Sequence, residues 1–292
     1  QEYFSYYHFD TARAKGYTGK GVTIAVIDGP VDTSNPALKG ANINDKSRCT
    51  IQDSPEGVRH GTDMAIILVS PISGVAPDAT LYTYQSSTAT TTSNGSCDSN
   101  GDRLNTIGAL INQAVEDGAQ IISISQSVSE SSNELKWAVT NAITKGVIIV
   151  NSAGNGASDE NSTQLGRWSG VIGVSAINGD GTFASYSSWG DGVVTAAFGG
   201  PYNTYNVTTG APTTVHGTSI SAPLVAGMLA LARQKWPDAT TNQILQLLVH
   251  TGLNPNHDWN EYTGYGAIDG GALVNTDPSQ YPDENPIIQK NG

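Results

Sequence analysis

Short apolar runs alternate with longer stretches of helical periodicity over the first half of the chain. Residues 22–27 form a β-branched apolar run ended by Asp28-Gly29-Pro30, which predicts a buried strand entering a sharp loop. Residues 81–85, 121–124, 147–150 and 171–176 read as further strands. Helical spacing marks residues 105–116, with Ile107, Leu110, Ile111 and Ala114 on one face, and residues 133–144, with Leu135, Ala138, Val139 and Ala142 inward. A helix is expected over residues 61–69, opening just after His60 and stopped by Pro71. Residues 218–235 give the longest helical stretch and 242–250 a shorter one. Strands of four to six residues alternating with helices predict an α/β fold, a central parallel sheet flanked by helices on both faces. In such sheets the functional site lies beyond the C-terminal strand ends, and Asp28 and Asn155 both stand just past one.

Composition narrows the class. At 292 residues a single domain is expected over residues 1–275, with 276–292 as a tail or trimmed linker. A hydrophobic content of 38%, with five Trp and twelve Tyr, argues against disorder. Only 14 Lys and Arg face 26 Asp and Glu, so nucleic acid is not an expected partner. No apolar run reaches the roughly 18 residues of a membrane span. Ser and Thr supply much of the polarity, crowded at 86–99 and 123–132, and this low charge density points outside the cell. Cys49 and Cys97 lie in polar stretches and read either as a disulfide in an oxidising compartment or as two free thiols. Asn94, Asn161 and Asn206 open glycosylation triplets. The start at Gln1 reads as a mature or trimmed product, and a monomer is expected.

Three stretches carry candidate chemistry: Asp28-Gly29-Pro30-Val31-Asp32, His60-Gly61-Thr62 and Gly217-Thr218-Ser219-Ile220-Ser221-Ala222-Pro223. Acyl transfer by serine needs a hydroxyl nucleophile, a base to take its proton and a group that orients the base. Singly, each motif has a plain structural reading: Asp28 as a turn cap, His60 as a packed histidine, Ser219 as a helix N-cap. Jointly, the order Asp, His, Ser and the intervening Ala153-Gly154-Asn155-Gly156 resemble the subtilisin-like serine proteases (subtilases) over residues 17–272. The resemblance implies an endopeptidase acting on polypeptides, with Ser219 as nucleophile, His60 as base, Asp28 orienting it and Asn155 in the oxyanion hole. Pro223 is expected within the first helical turn, where a missing N–H costs little.

Departures from the family pattern shape the remaining expectations. Pro30 stands where glycine is expected, and Asp-Gly-Pro-Val-Asp resembles subtilases that process ribosomal peptides of the cyanobactin type, which opens a peptide-processing or transpeptidation reading. A catalytically silent scaffold that binds a partner is the other alternative, and the presence of all four candidate residues argues against it. Asp63 replaces the usual His and Ile66 the usual Gly. Asp63 either adds negative charge near the imidazole or lies on a solvated helix face. His216, in place of Asn, either touches substrate or packs. The expected substrate-binding residues are Ser125, Gln126, Ser127, Val128, Ala153 and Gly154. Ser127 and Val128 replace two glycines, so they should narrow the primary pocket and favour small or medium side chains. A Cys49–Cys97 bridge would pin the insertion at 86–102 to the loop after the first strand. The resemblance implies no cofactor for the chemistry and no identified metal site. The family's tight calcium loop is missing from the short segment 69–75, with weaker calcium sites left open.

Overall fold

The computed structural model describes residues 9–86, 97–99, 102–129, 131–159 and 164–288. The triplets at Asn94 and Asn161, and most of the polar insertion, lie outside the described residues. In chain order the elements are α1 (Phe9–Ala14), β1 (Thr23–Asp28), β2 (Ile43–Asp45), α2 (Pro55–Val69), β3 (Thr80–Gln85), β4 (Asp98–Ser99), β5 (Asp102–Arg103), α3 (Ile107–Glu116), β6 (Ile121–Ile124), α4 (Asn133–Thr144), β7 (Ile148–Ser152), β8 (Ile172–Ile177), β9 (Val193–Phe198), β10 (Tyr202–Tyr205), β11 (Pro212–Val215), α5 (Thr218–Lys235), α6 (Thr241–His250) and α7 (Gly270–Asn275).

Seven strands form one parallel sheet in the order β2-β3-β1-β6-β7-β8-β9. Alternate residues of β1 feed two separate cores. Ile24 and Val26 pack on the side of α2 and α5, whereas Ala25 and Ile27 pack on the side of α3 and α4. Burial on both faces is why the strands read as continuous apolar runs rather than alternating ones. The expected α/β architecture, a parallel sheet with helices on both faces, is the one found. From β1 the sheet grows one way through β3 and β2 and the other way through β6 to β9. The crevice at β1 and β6 is thus a topological switch point, with Asp28 ending β1 and Ser125 following β6.

Several boundaries differ from expectation. α2 begins at Pro55, six residues before the predicted opening, because Ser54 caps it by accepting from Gly57 N–H at 3.0 Å and Pro55 suits the first helical position. β9 is not predicted by the periodicity, although Val193–Phe198 is a wholly buried run between glycines, apolar but for Thr195. The antiparallel β10–β11 hairpin also escapes, since its strands are largely exposed and mostly polar.

Cys49 and Cys97 are joined in a disulfide. Cys49 lies between β2 and α2, so the bridge reaches past the short edge strand rather than to the loop directly after β1. With Ile51 and Leu104 it forms a small apolar cluster. Closing a loop of this size stabilises the fold by about 4 kcal/mol in the chain-entropy account. Residues 276–288 pack against the domain: Ile287 is buried and accepts from Gly170 N–H, and Gln246 donates to the Glu284 carbonyl.

Candidate active site

Asp28 and His60 meet at the end of β1. His60 Nδ1 lies 2.8 Å from Asp28 Oδ1, which also accepts from Gly29 N–H at 2.7 Å. The carboxylate is 2% exposed, so its field on the imidazole is little screened. Charge attraction to Asp28 is the largest influence raising the His60 pKa above its ordinary value, opposed by burial; Asp63 adds to the rise and Arg59 opposes it. The approach of the two segments depends on Gly61. A Cβ there would stand 2.5 Å from the Gly29 carbonyl oxygen and 2.8 Å from that of Pro30. Thr62 completes the junction, its hydroxyl donating to Val58 O at 2.7 Å and accepting from Asp32 N–H at 2.9 Å.

Ser219 occupies the second position of α5, where backbone N–H groups lack helical partners. Its hydroxyl donates to the Ser125 carbonyl at 3.3 Å, and Ser125 Oγ donates back to the Ser219 carbonyl at 2.8 Å. Pro223 explains the second bond. It is the sixth residue of α5, beyond the first turn, and its missing N–H leaves the Ser219 carbonyl without a helical partner. The expectation that this loss falls on an already unpaired group is therefore corrected: Ser125 supplies the replacement donor. Among the described residues the Ser219 hydroxyl is hydrogen-bonded to Ser125 and not to His60, whose hydrogen-bonding partner is Asp28.

Asn155 is exposed beside this helix start. Its Oδ1 accepts from Thr218 N–H at 2.8 Å and from the Thr218 hydroxyl at 3.0 Å. Both bonds engage the carbonyl end, so Nδ2 is left to donate outward. The Thr218 hydroxyl in turn accepts from Gly154 N–H at 3.1 Å. Gly154 has φ 109°, a region that disfavours side chains. Thr218 therefore fixes the orientation of the amide, a role that sequence motifs alone do not assign.

The groove residues divide. Ser125 bonds the Ser219 segment, as described. Gln126 Oε1 accepts from the buried Ser86 hydroxyl at 2.9 Å. Asn151, wholly buried, holds this stretch by donating to the Ile124 and Gln126 carbonyls, each at 3.0 Å. Ser127 is exposed, but Val128 is 5% exposed and belongs to the core beneath α3 and α4. The expectation that Val128 narrows the pocket is corrected accordingly, because the chain turns its side chain inward; only Ser127 remains exposed for that task. Ala153 is buried with its N–H on the Val174 carbonyl. His216 is exposed, its ring centroid 4.5 Å from that of Tyr186, whose hydroxyl burial pushes up to about 12. Asp63 is not on a solvated face but 4% exposed.

A fold with its switch point at β1 and β6, carrying an Asp–His pair, a helix-opening serine and an oriented amide, defines a class: hydrolases that use a serine nucleophile. The Subtilase family model (Peptidase_S8) matches residues 19–266. Subtilisin DY of Bacillus licheniformis is 30% identical over 267 residues, spanning 89% of this chain and 93% of that protein. MycP1 from Mycobacterium smegmatis gives a TM-score of 0.75 at 25% identity, covering 97% of this chain and 86% of that one. The prenylagaramide maturation protease PagA gives 0.70 at 21% identity, covering 91% and 97%, a likeness of fold. The chain belongs to the subtilase family and is a serine endopeptidase.

Proposed function

We propose that the protein is a secreted endopeptidase that cleaves polypeptides through an acyl-enzyme on Ser219, with His60 as general base and then general acid. Asp28 holds the imidazole with Nδ1 protonated and stabilises the imidazolium that forms. The Ser219 N–H, at the positive end of α5, and Asn155 Nδ2 are the donors for the developing oxyanion. Water resolves the acyl-enzyme, and no cofactor enters the chemistry. The 2.8 Å contact between Asp28 and His60 at the switch point carries this reading. The low charge density and the Cys49–Cys97 bridge support an oxidising, extracellular setting. Among the described residues no helix is long and apolar enough to cross a membrane. Mass analysis of products from a linear peptide tests the reading. Hydrolysed fragments are expected; cyclised or ligated products would instead indicate that an amine resolves the acyl-enzyme.

Asn155→Ala should lower kcat by about 10²–10³-fold with KM little changed, the loss known from subtilisin for this donor. The pH dependence has a definite sign. The base must be neutral to accept a proton, and the Asp28 carboxylate favours its charged form. The acid limb of kcat/KM is therefore expected above the ordinary histidine value of 6.5, with activity rising as pH passes through it. A limb at or below that value would contradict the electrostatic account.

A further inference from the structure

Asp63 is a carboxylate buried without any part in the proton transfers assigned above. It stands on α2 three residues after His60. Arg59 Nη1, one turn earlier on the same helix, lies 2.9 Å from its Oδ2. The Thr204 hydroxyl lies 3.0 Å from both carboxylate oxygens, and Thr204 belongs to β10, which no helical periodicity connects to α2. Within the hairpin Thr204 pairs with Thr213 of β11, and β11 ends at Val215, four residues before Ser219. Burying a charge is costly unless partners compensate, so a carboxylate at 4% exposure marks a fixed junction rather than a chance contact.

The junction completes a pattern along four consecutive residues of α2. His60 bonds Asp28, Gly61 admits the Gly29-Pro30 backbone, Thr62 holds Asp32, and Asp63 holds the hairpin that runs into Ser219. We propose that Asp63 is a positioning residue, clamping the β10–β11 hairpin to the helix of His60 through Thr204 and Arg59 and so setting the base against the nucleophile. The clamp has an electrostatic side as well. His60 is faced by Asp28 from β1 and by Asp63 and Arg59 from its own helix, and the Asp63 charge favours the imidazolium. Asp63 itself is faced by Arg59, His60 and Thr204; burial raises its pKa while these three groups oppose the rise.

A double-mutant cycle of Asp63→Ala and Thr204→Val, with Thr204→Ser as the conservative control and Asp63→Asn as the variant that removes only the charge while keeping an acceptor for Thr204, tests the proposal. Each of the first two should lower kcat by about tenfold to a hundredfold with KM nearly unchanged, as small misplacements of reacting groups do. The double mutant should lose no more than the larger single loss, because both break one link. Thr204→Ser, which keeps the donor, should recover activity near the wild-type level. Asp63→Asn alone should move the acid limb to lower pH, since it removes a charge that favours the imidazolium. Additive losses, or wild-type kcat in Thr204→Val, would overturn the clamp. Should Asp63→Ala not fold, the Thr204→Val and Thr204→Ser pair still decides through kcat. The clamp rests on the roles given to His60 and Ser219, which fail separately if the wild-type protein is not modified at Ser219 by an active-serine probe.

Discussion

Ser219→Ala is expected to lower kcat by about 10⁴–10⁶-fold, the range set by loss of the nucleophile in triads of this type. The substitution removes one hydroxyl whose only hydrogen bond among the described residues is a 3.3 Å contact to the Ser125 carbonyl. Stability should therefore change by less than about 1 kcal/mol, and the melting transition should be nearly unmoved. The Ser219 N–H and the Thr218-oriented amide of Asn155 survive in the variant, so substrate should still bind with a similar Kd. A variant that loses binding as well as turnover would place Ser219 in substrate recognition rather than in bond making. Steady-state kinetics with a binding measurement on the same preparation separate the two.

Asp28→Asn should cost about 10⁴-fold in kcat. Asp28 Oδ1 accepts from both Gly29 N–H and His60 Nδ1, and Oδ2 is buried without a partner among the described residues. An asparagine has two ways to fit, and both are harmful. With its oxygen kept at the Oδ1 position, its NH₂ takes the place of Oδ2 and is buried without an acceptor, which costs about 1–3 kcal/mol. With the amide turned over, the NH₂ faces Nδ1, which must then accept; the proton moves to Nε2, and the imidazole can no longer act as base toward Ser219. Loss of the carboxylate charge also lowers the His60 pKa, so the residual activity should show its acid limb at lower pH than the wild type. Unchanged kcat would show that His60 is neither oriented nor charged by Asp28.

The parallel sheet was legible because its strands are buried on both faces: Ile24 to Ile27 and Ile121 to Ile124 carry no polar alternation except Ser123. The four candidate residues were legible as short motifs in the order Asp, His, Ser, with Asn155 between. The hidden features are those that depend on distant pairings. Nothing local in Pro223 announces that Ser125 will supply the missing donor to the Ser219 carbonyl. Thr204 and Asp63 are 141 residues apart, and each is unremarkable in its own segment. Val128 follows exposed Ser127 by one residue, and only the path of the chain decides which of the two turns inward. The start of α2 is local and readable: Ser54-Pro55-Glu56 places a capping hydroxyl, a proline at the first helical position and an acid in the first turn, six residues before Gly61.

The roles proposed for the four residues converge on one bond, that between Ser219 Oγ and a substrate acyl group. A fluorophosphonate reacts with a serine hydroxyl only where a base removes its proton and donors stabilise the resulting anion, so it probes base, nucleophile and oxyanion hole together. Labelling of the wild-type protein followed by peptide mapping should find one adduct, on Ser219, that is absent from Ser219→Ala and strongly slowed in Asp28→Asn. An adduct on another serine, or none on folded protein, would contradict the account.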